Sequence, residues 1–345
     1  MIRMRELAFV AVAVTLVALY LSAGSRIAPA FVPVSSPTPT PTKPAERVVA
    51  PELAGTIAFA IRGDVYVLSG GGYVPLTSEG RSYQPSISAD GRSVIFARTE
   101  EIDGKRIVDG QVVPAHLRFS NVVRKDARGG PETIIANGLV RAANGFHQVT
   151  WFDAPALSPD GKRIAVVEDA GDGRADLALL DAQSGKRTAL LSQGSNLADP
   201  VWSPDGATIA VTSYTVGLPR LLLVSADGRI SSEVKTAAEG DAYRPSYSPD
   251  GSWILYTLRH DGKNDLRAIR TNGARDVALT TGGNSWNGVF SPDGTQVAFL
   301  REHDGAIDLY AMDLADALAG GSPRAAVKLT RGEGVDGASR PAWGR

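Results

Sequence analysis

The chain has 345 residues, is 43% hydrophobic and 21% charged, and carries 37 Gly, 21 Pro and no Cys, which suits two ordinary domains or one large repeat domain. With 36 Lys and Arg against 37 Asp and Glu, its formal net charge of -1 gives no basis for the electrostatic attraction of a general nucleic-acid binder, and no nucleic-acid partner is expected. The lack of Cys excludes disulfides, thiolate metal sites and a lipidated N-terminal cysteine; four His without an HExxH pair argue against a typical zinc enzyme, so no metal and no cofactor are expected.

Residues 1–6 hold Arg3 and Arg5 and read as a short basic cytoplasmic segment ahead of an apolar stretch, residues 7–24. Spanning a bilayer takes about 17–25 apolar residues, so the stretch is just long enough for a single-pass transmembrane anchor. A signal peptide cut near Leu21-Ser22-Ala23 is the other reading, leaving a secreted or periplasmic protein. Residues 25–51 are rich in Pro, Thr and Ser, from Pro33 through Pro37, Pro39, Pro41 and Pro44 to Pro51. Such a segment builds no core and serves as a semi-rigid spacer outside the membrane.

The repeat begins after the spacer. Ser-Pro-Asp-Gly occurs at Ser158, Ser203, Ser248 and Ser291, with a degenerate Ser88-Ala89-Asp90-Gly91 upstream. Its Asp residues, Asp90, Asp160, Asp205, Asp250 and Asp293, are 70, 45, 45 and 43 positions apart. Each is followed by Gly (Gly91, Gly161, Gly206, Gly251, Gly294), and the pair marks a tight structural turn between strands. Before the turn stands a short strand, often opened by Pro, as in Pro200-Val201-Trp202; after it come apolar runs such as Ile254-Leu255-Tyr256 and Val297-Ala298-Phe299. A third strand (Asp308-Leu309-Tyr310) and a fourth ending in Leu-Thr (Leu76-Thr77, Leu279-Thr280, Leu329-Thr330) complete the unit, with almost no place for helix.

Four antiparallel strands in about 45 residues is the pattern of a β-propeller blade. The first copy lacks a first strand, and the last copy, Arg340-Pro341-Ala342-Trp343, supplies only that strand. The expectation is therefore an all-β, six-bladed propeller over residues 52–345, closed by a composite blade from both termini, with insertions around 100–115 and 138–152.

These motifs resemble the TolB-type, WD-like β-propeller repeat family, in which Pro before Trp or Phe, Ser-Pro-Asp-Gly, an Ile-Ala-Phe strand and an Asp-Ile-Tyr strand recur. Pro200 to Gly206 and Phe290 to Gly294, with Ile307-Asp308-Leu309-Tyr310, match it most fully. The resemblance implies the propeller fold and several activities: an envelope protein, propellers attached to serine peptidases, and relatives of oligogalacturonate lyases. A Gly-x-Ser-x-Gly elbow, needed by a peptidase, does not occur in the chain, and His116, His147, His260 and His303 do not match a lyase metal set. His260-Asp261-Gly262 and His303-Asp304-Gly305 read as equivalent polar turns.

Candidate binding residues lie in the loops before each first strand, where a propeller tunnel opens: Tyr83, Trp151, Asp153, Asp199, Tyr243, Arg244, Trp286, Asn287 and Arg340. Aromatics interleaved with Asn, Asp and Arg stack on and hydrogen-bond to a peptide or glycan. Trp202, Tyr247, Phe290 and Trp343, which recur at one strand position, read instead as packing between blades. The functional expectation is a noncatalytic extracytoplasmic binding or scaffold protein, its partner an envelope protein or glycan, with no catalytic residue assigned. The alternative is a polysaccharide-active envelope enzyme using carboxylates among Asp153, Asp199, Asp241 and Asp336 at the tunnel mouth.

Overall fold

The computed structural model describes residues 53–345 except 109–110, 142–146, 172, 192–195 and 215–218. The basic segment, the apolar stretch and nearly all of the spacer lie outside these residues. Among the described residues no helix is long and apolar enough to cross a membrane.

The described chain forms a six-bladed β-propeller, each blade a four-stranded antiparallel sheet. The composite blade orders Ala342–Gly344, Thr56–Ile61, Asp64–Ser69 and Gly72–Pro75 from first strand to fourth. Ser82–Ile87, Ser93–Val108, Gln111–Asp126 and Glu132–Ala136 make the second blade, and Trp151–Leu157, Arg163–Asp169, Asp176–Asp181 and Arg187–Leu191 the third. The fourth holds Leu197–Trp202, Thr208–Ser213, Arg220–Ser225 and Ile230–Val234. Asp241–Tyr247, Trp253–His260, Lys263–Arg270 and Asp276–Ala278 make the fifth, and Ser285–Phe290, Gln296–His303, Ala306–Asp313 and Val327–Lys328 the sixth.

The apolar runs explain this radial arrangement. A second strand in which consecutive residues are all apolar must bury both faces, and Ile254, Leu255 and Tyr256 are each fully buried. Alternate residues turn to opposite neighbouring blades: Leu255 packs with Phe290 and Phe299 of the sixth blade, whereas Ile254 and Tyr256 pack with Leu221 of the fourth. The core is thus a set of layers between blades. Trp202, Phe290 and Trp343 are buried in these layers, and Trp202 donates its indole N–H to Ala156 O of the third blade at 3.0 Å.

All five Asp-Gly turns adopt one geometry. The Ser Oγ donates to the Asp Oδ1 at 2.5–2.6 Å and accepts the backbone N–H five residues on at 2.9 Å, as in Ser203, Asp205 and Thr208. These donors hold each Asp carboxyl below its ordinary range, the Ser hydroxyl being the largest cause. The Leu-Thr ending has a comparable role: Thr280 Oγ1 donates to Asp265 and accepts the Leu266 N–H, and Thr77 and Thr330 repeat this with Asp64 and Asp308.

The closing strand is only three residues long and pairs Thr56 with Gly344, Ile57 with Trp343 and Ala58 with Ala342. Side chains beyond it add to the seam. Asp336 accepts the N–H groups of Arg62 and Gly63, both at 2.9 Å, and Trp343 donates to Ala54 O at 2.8 Å.

The insertion around 100–115 is a hairpin between the second and third strands of the second blade: two 16-residue strands continue that blade's own ladder unbroken from Ser93 opposite Asp126 to Val108 opposite Gln111. A short helix, Ala315–Ala319, follows the third strand of the sixth blade and buries Ala317 against the adjoining layer. The insertion around 138–152 contains a two-stranded ribbon, Leu139–Arg141 with His147–Val149.

Gly91 and Gly161 share a left-handed φ of 70°, but a Cβ at Gly161 meets open space whereas one at Gly91 would lie 1.8 Å from Arg345 O of the closing segment. Gly161→Ala should cost about 1–2 kcal/mol, the left-handed penalty alone. Gly91→Ala should cost clearly more; chemical denaturation of the two variants checks the order.

Candidate functional site: the tunnel and its two mouths

Each blade begins with the same local device. Gln84, Ala154, Asp199, Arg244 and Arg340 each precede a Pro, and Asn287 precedes Gly288 in the equivalent place. All but Arg340 have φ between 47° and 56°, and in five blades the register between first and second strands slips at this point. A left-handed non-Gly residue inside a strand is costly, and it is the bulge that re-aims the side chain toward the axis. Pro suits the next position because the slipped ladder asks no N–H of it.

Two arginines in this ring tie blades across the lumen. Arg340 of the composite blade donates Nη1 to Pro245 O of the fifth blade at 2.7 Å and Nη2 to Pro200 O of the fourth at 3.0 Å. Arg244 of the fifth blade donates Nη1 to Asn287 Oδ1 of the sixth at 2.6 Å and to Gly337 O at 3.3 Å, with its Nε 3.9 Å from Asp199 Oδ1 of the fourth. Gly337 O also accepts the Trp286 indole N–H at 2.8 Å and Asn287 Nδ2 at 3.1 Å. Asp199 is completed by Thr212 Oγ1, which donates to it at 3.0 Å and accepts the Arg244 N–H.

On one side of these braces is a polar mouth. Asp153 accepts the adjacent Ala154 N–H at 2.8 Å, and burial pushes its carboxyl up to about 6; the nearby Asp199 charge adds to the rise, while the Ala154 N–H and Arg244 oppose it. Burial likewise pushes the Tyr83 phenol up to about 12, with the Asp153 charge contributing. The Tyr83 hydroxyl lies beside those of Thr99 and Ser120 but meets no hydrogen-bond partner among the described residues. Tyr243 donates to Asn264 Oδ1 at 2.5 Å and its ring faces the Arg244 guanidinium at 5.8 Å.

On the other side is a chamber of about 580 Å³, walled by the first strands of all six blades and opening among the Ser-Pro-Asp-Gly turns. Pro159, Pro204, Pro249 and Pro292 line it near the turns, and Val201, Tyr247 and Val289 lie on its wall with Arg340.

The nine candidates therefore have different surroundings. Asp153, Asp199, Tyr83, Tyr243 and Arg244 converge on the polar mouth, and Arg340 reaches the chamber. Asn287 is fully buried and its amide is engaged with Arg244 and Gly337; Trp286 is half-buried against the closing segment. Trp151 is paired with Asp169 at the outer start of its strand, while its neighbour Phe152 is buried between the second and third blades. Of the further acids, Asp241 is held by Arg259 and Asp336 caps the closing seam. His116 bridges Glu101 and Asp103 on the exposed hairpin, and His260 and His303 are exposed beside Asp261 and Asp304 in their turns. Gln84, which stands in the same mouth loop as Tyr83 and precedes Pro85 as Arg244 and Arg340 precede theirs, belongs to the site; Thr212 and the Gly337 carbonyl belong to it too and were not singled out from the sequence.

A closed six-bladed propeller with a braced axial tunnel is the class of protein these observations define. The model of the TolB beta propeller domain matches residues 135–345, and the chain belongs to that family. A Tol-Pal system protein TolB of Anaeromyxobacter dehalogenans is 35% identical over 119 residues, 34% of this chain and 27% of that protein. A protein TolB homolog of Chlorobaculum tepidum is 30% identical over 123 residues, 36% of this chain and 28% of its own length. The matches to these relatives thus span little more than a quarter of their length. Among solved structures, TolB from Acinetobacter baumannii shares the fold with a TM-score of 0.63 and 18% identity, over 85% of this chain and 67% of that one.

A carboxyl raised by folding binds its proton more tightly in the native than in the unfolded state, so its contribution to stability falls as pH rises from about 4 to about 6. Asp153→Asn should match the wild type near pH 4 and exceed it at pH 7 by roughly 1–3 kcal/mol, read from paired denaturation curves.

Proposed function

We propose that this protein is a noncatalytic extracytoplasmic binding or scaffold protein that presents its propeller to a protein of the cell envelope. The observation that carries the reading is the ring of polar side chains drawn from different blades and held by cross-lumen hydrogen bonds. Such a ring is preorganised: its side chains lose little freedom when a partner docks, which is how rigid recognition surfaces gain affinity. Membership of the TolB beta propeller domain family supports it, as do relatives named as Tol-Pal system proteins. In this reading residues 7–24 hold the chain at the membrane and residues 25–51 space the propeller from it; a cleaved signal leaves the same propeller free outside the membrane. The long hairpin adds a second exposed contact surface, with Ile102 and Val112 45% and 64% exposed among its charges.

Asp153 favours a second reading, a glycan-active mouth, since a carboxyl titrating at about 6 suits a general acid.

Photo-crosslinking from Tyr83, Tyr243 and Ile102 of the full-length protein in intact cells, read by mass spectrometry, tests both. The binding reading expects one or a few envelope proteins captured reproducibly, with the Ile102 adducts lost when the hairpin is shortened. Capture of no specific protein, together with reducing ends released from envelope polysaccharide by the purified protein and lost in Asp153→Asn, would overturn it in favour of the enzyme.

A further inference from the structure

Arg340 is in an uncommon position for an arginine. It is half-buried at the chamber wall, and burial holds its guanidinium below the ordinary arginine range, the Asp199 charge opposing and the Arg244 charge adding to that; among the described residues no carboxylate lies within 4.0 Å of it. Two of its five N–H groups are committed to the Pro200 and Pro245 carbonyls. Carbonyl dipoles stabilise a buried cation only in part; the full counterpart is an anion, and a guanidinium engages a carboxylate through two parallel hydrogen bonds. Other arginines of the molecule have one: Arg259 has Asp241, Arg267 has Asp276 and Arg98 has Glu132.

The space beside Arg340 is shaped for a ligand. The chamber has a volume within the usual range of small-ligand sites, and its lining combines Pro, Val, Ala and aromatic surface with the serines of the first strands and turns and with Arg345. Asp90, the acid among its lining residues, is a turn residue tied to Ser88 and to the Arg92 N–H. A single carboxylate reaching Arg340 leaves its apolar remainder against Val201, Tyr247 and Val289 of the chamber wall.

We propose that the chamber on the Ser-Pro-Asp-Gly face is a socket for a carboxylate carried on an apolar stem, with Arg340 as its anchor. The ligand chemistry is shared by a free aryl or alkyl acid and by an acidic side chain flanked by apolar residues in a partner's extended segment. The proposal deepens the binding reading and rests on it.

The test is titration calorimetry on the full-length protein with three probes: 4-phenylbutanoate, its amide 4-phenylbutanamide, and a blocked Leu-Pro-Glu-Leu peptide. At least one carboxylate probe should bind saturably, and the amide should bind about tenfold or more weakly than the free acid, as expected for loss of a charged hydrogen-bond pair. Binding of the free acid assigns the site to small organic acids; binding of the peptide alone assigns it to a protein segment. Arg340→Leu should abolish the preference for carboxylate. Because Arg340 also braces the tunnel, Val201→Phe is the second variant: it narrows the chamber, keeps the guanidinium, and should weaken the carboxylate probe at least tenfold with the thermal transition retained. Equal binding of acid and amide, or no binding of either carboxylate probe to the folded wild type, overturns the proposal. If envelope proteins are still captured from the polar mouth in intact cells, the socket fails and the binding reading stands; if both measurements are blank, both fail.

Discussion

Closure of the ring is the constraint on which the rest of this structure depends. Each blade buries its apolar faces only against two neighbours, so an open ring would leave the composite and sixth blades with exposed layers and unpaired edges. The ring is closed inside the composite blade by three paired residues of Ala342–Gly344, and Phe59, Leu68 and Trp343 of that blade pack against Leu300 and Leu309 of the sixth. Three backbone pairs are a thin joint for a ring of this size. The polar ties of residues 336–340 strengthen it: Asp336 bonds to the Arg62-Gly63 turn of the composite blade, and Gly337, Ser339 and Arg340 each bond to another blade.

The same ties give the tunnel its character. Positions that precede Pro or Gly in five of the six first strands point to the axis because a bulge places them in the left-handed region, and Arg340 takes the equivalent place in the composite blade. Filling these positions with Gln, Asp, Arg, Asn and a second Arg, with only one Ala, turns a repeated backbone device into an asymmetric polar cross-section. Arg244 and Arg340 span it in different directions, so the tunnel is divided into a mouth with acids and phenols and a chamber with proline and aromatic walls. Fold repetition and site asymmetry coexist because the backbone hydrogen bonds of the blade do not depend on which side chain enters the lumen.

This division also explains what could be read in the chain and what could not. The five Asp-Gly turns, the blade count and the composite blade were legible because each follows from local spacing: a turn needs its Ser, Asp and Gly within four positions, and a missing first strand at one end matches a spare one at the other. That the residues before each Pro form one ring was nearly legible, since Arg244 and Arg340 were among the candidates and their shared Pro stands beside them. Their opposed partners were not, because Pro200, Pro245 and Gly337 contribute carbonyl oxygens, which carry no side-chain signature. Asn287 illustrates the converse: an amide at a loop end reads as a contact residue, yet fills a buried slot between Arg244 and Gly337.

Two charged groups that stand apart from this web of mutual satisfaction lie on opposite sides of it. Asp153 has one backbone donor and a neighbouring acid, and Arg340 has two carbonyls and no carboxylate within 4.0 Å among the described residues. Joined to each other they would offset part of both desolvation costs. A fold that evolved only for stability would have little reason to keep both charges separate and incompletely paired, since apolar replacements of similar volume are commonly neutral or better. On the binding reading proposed above, one partly satisfied charge toward each mouth gives the two ends of the tunnel different chemistry.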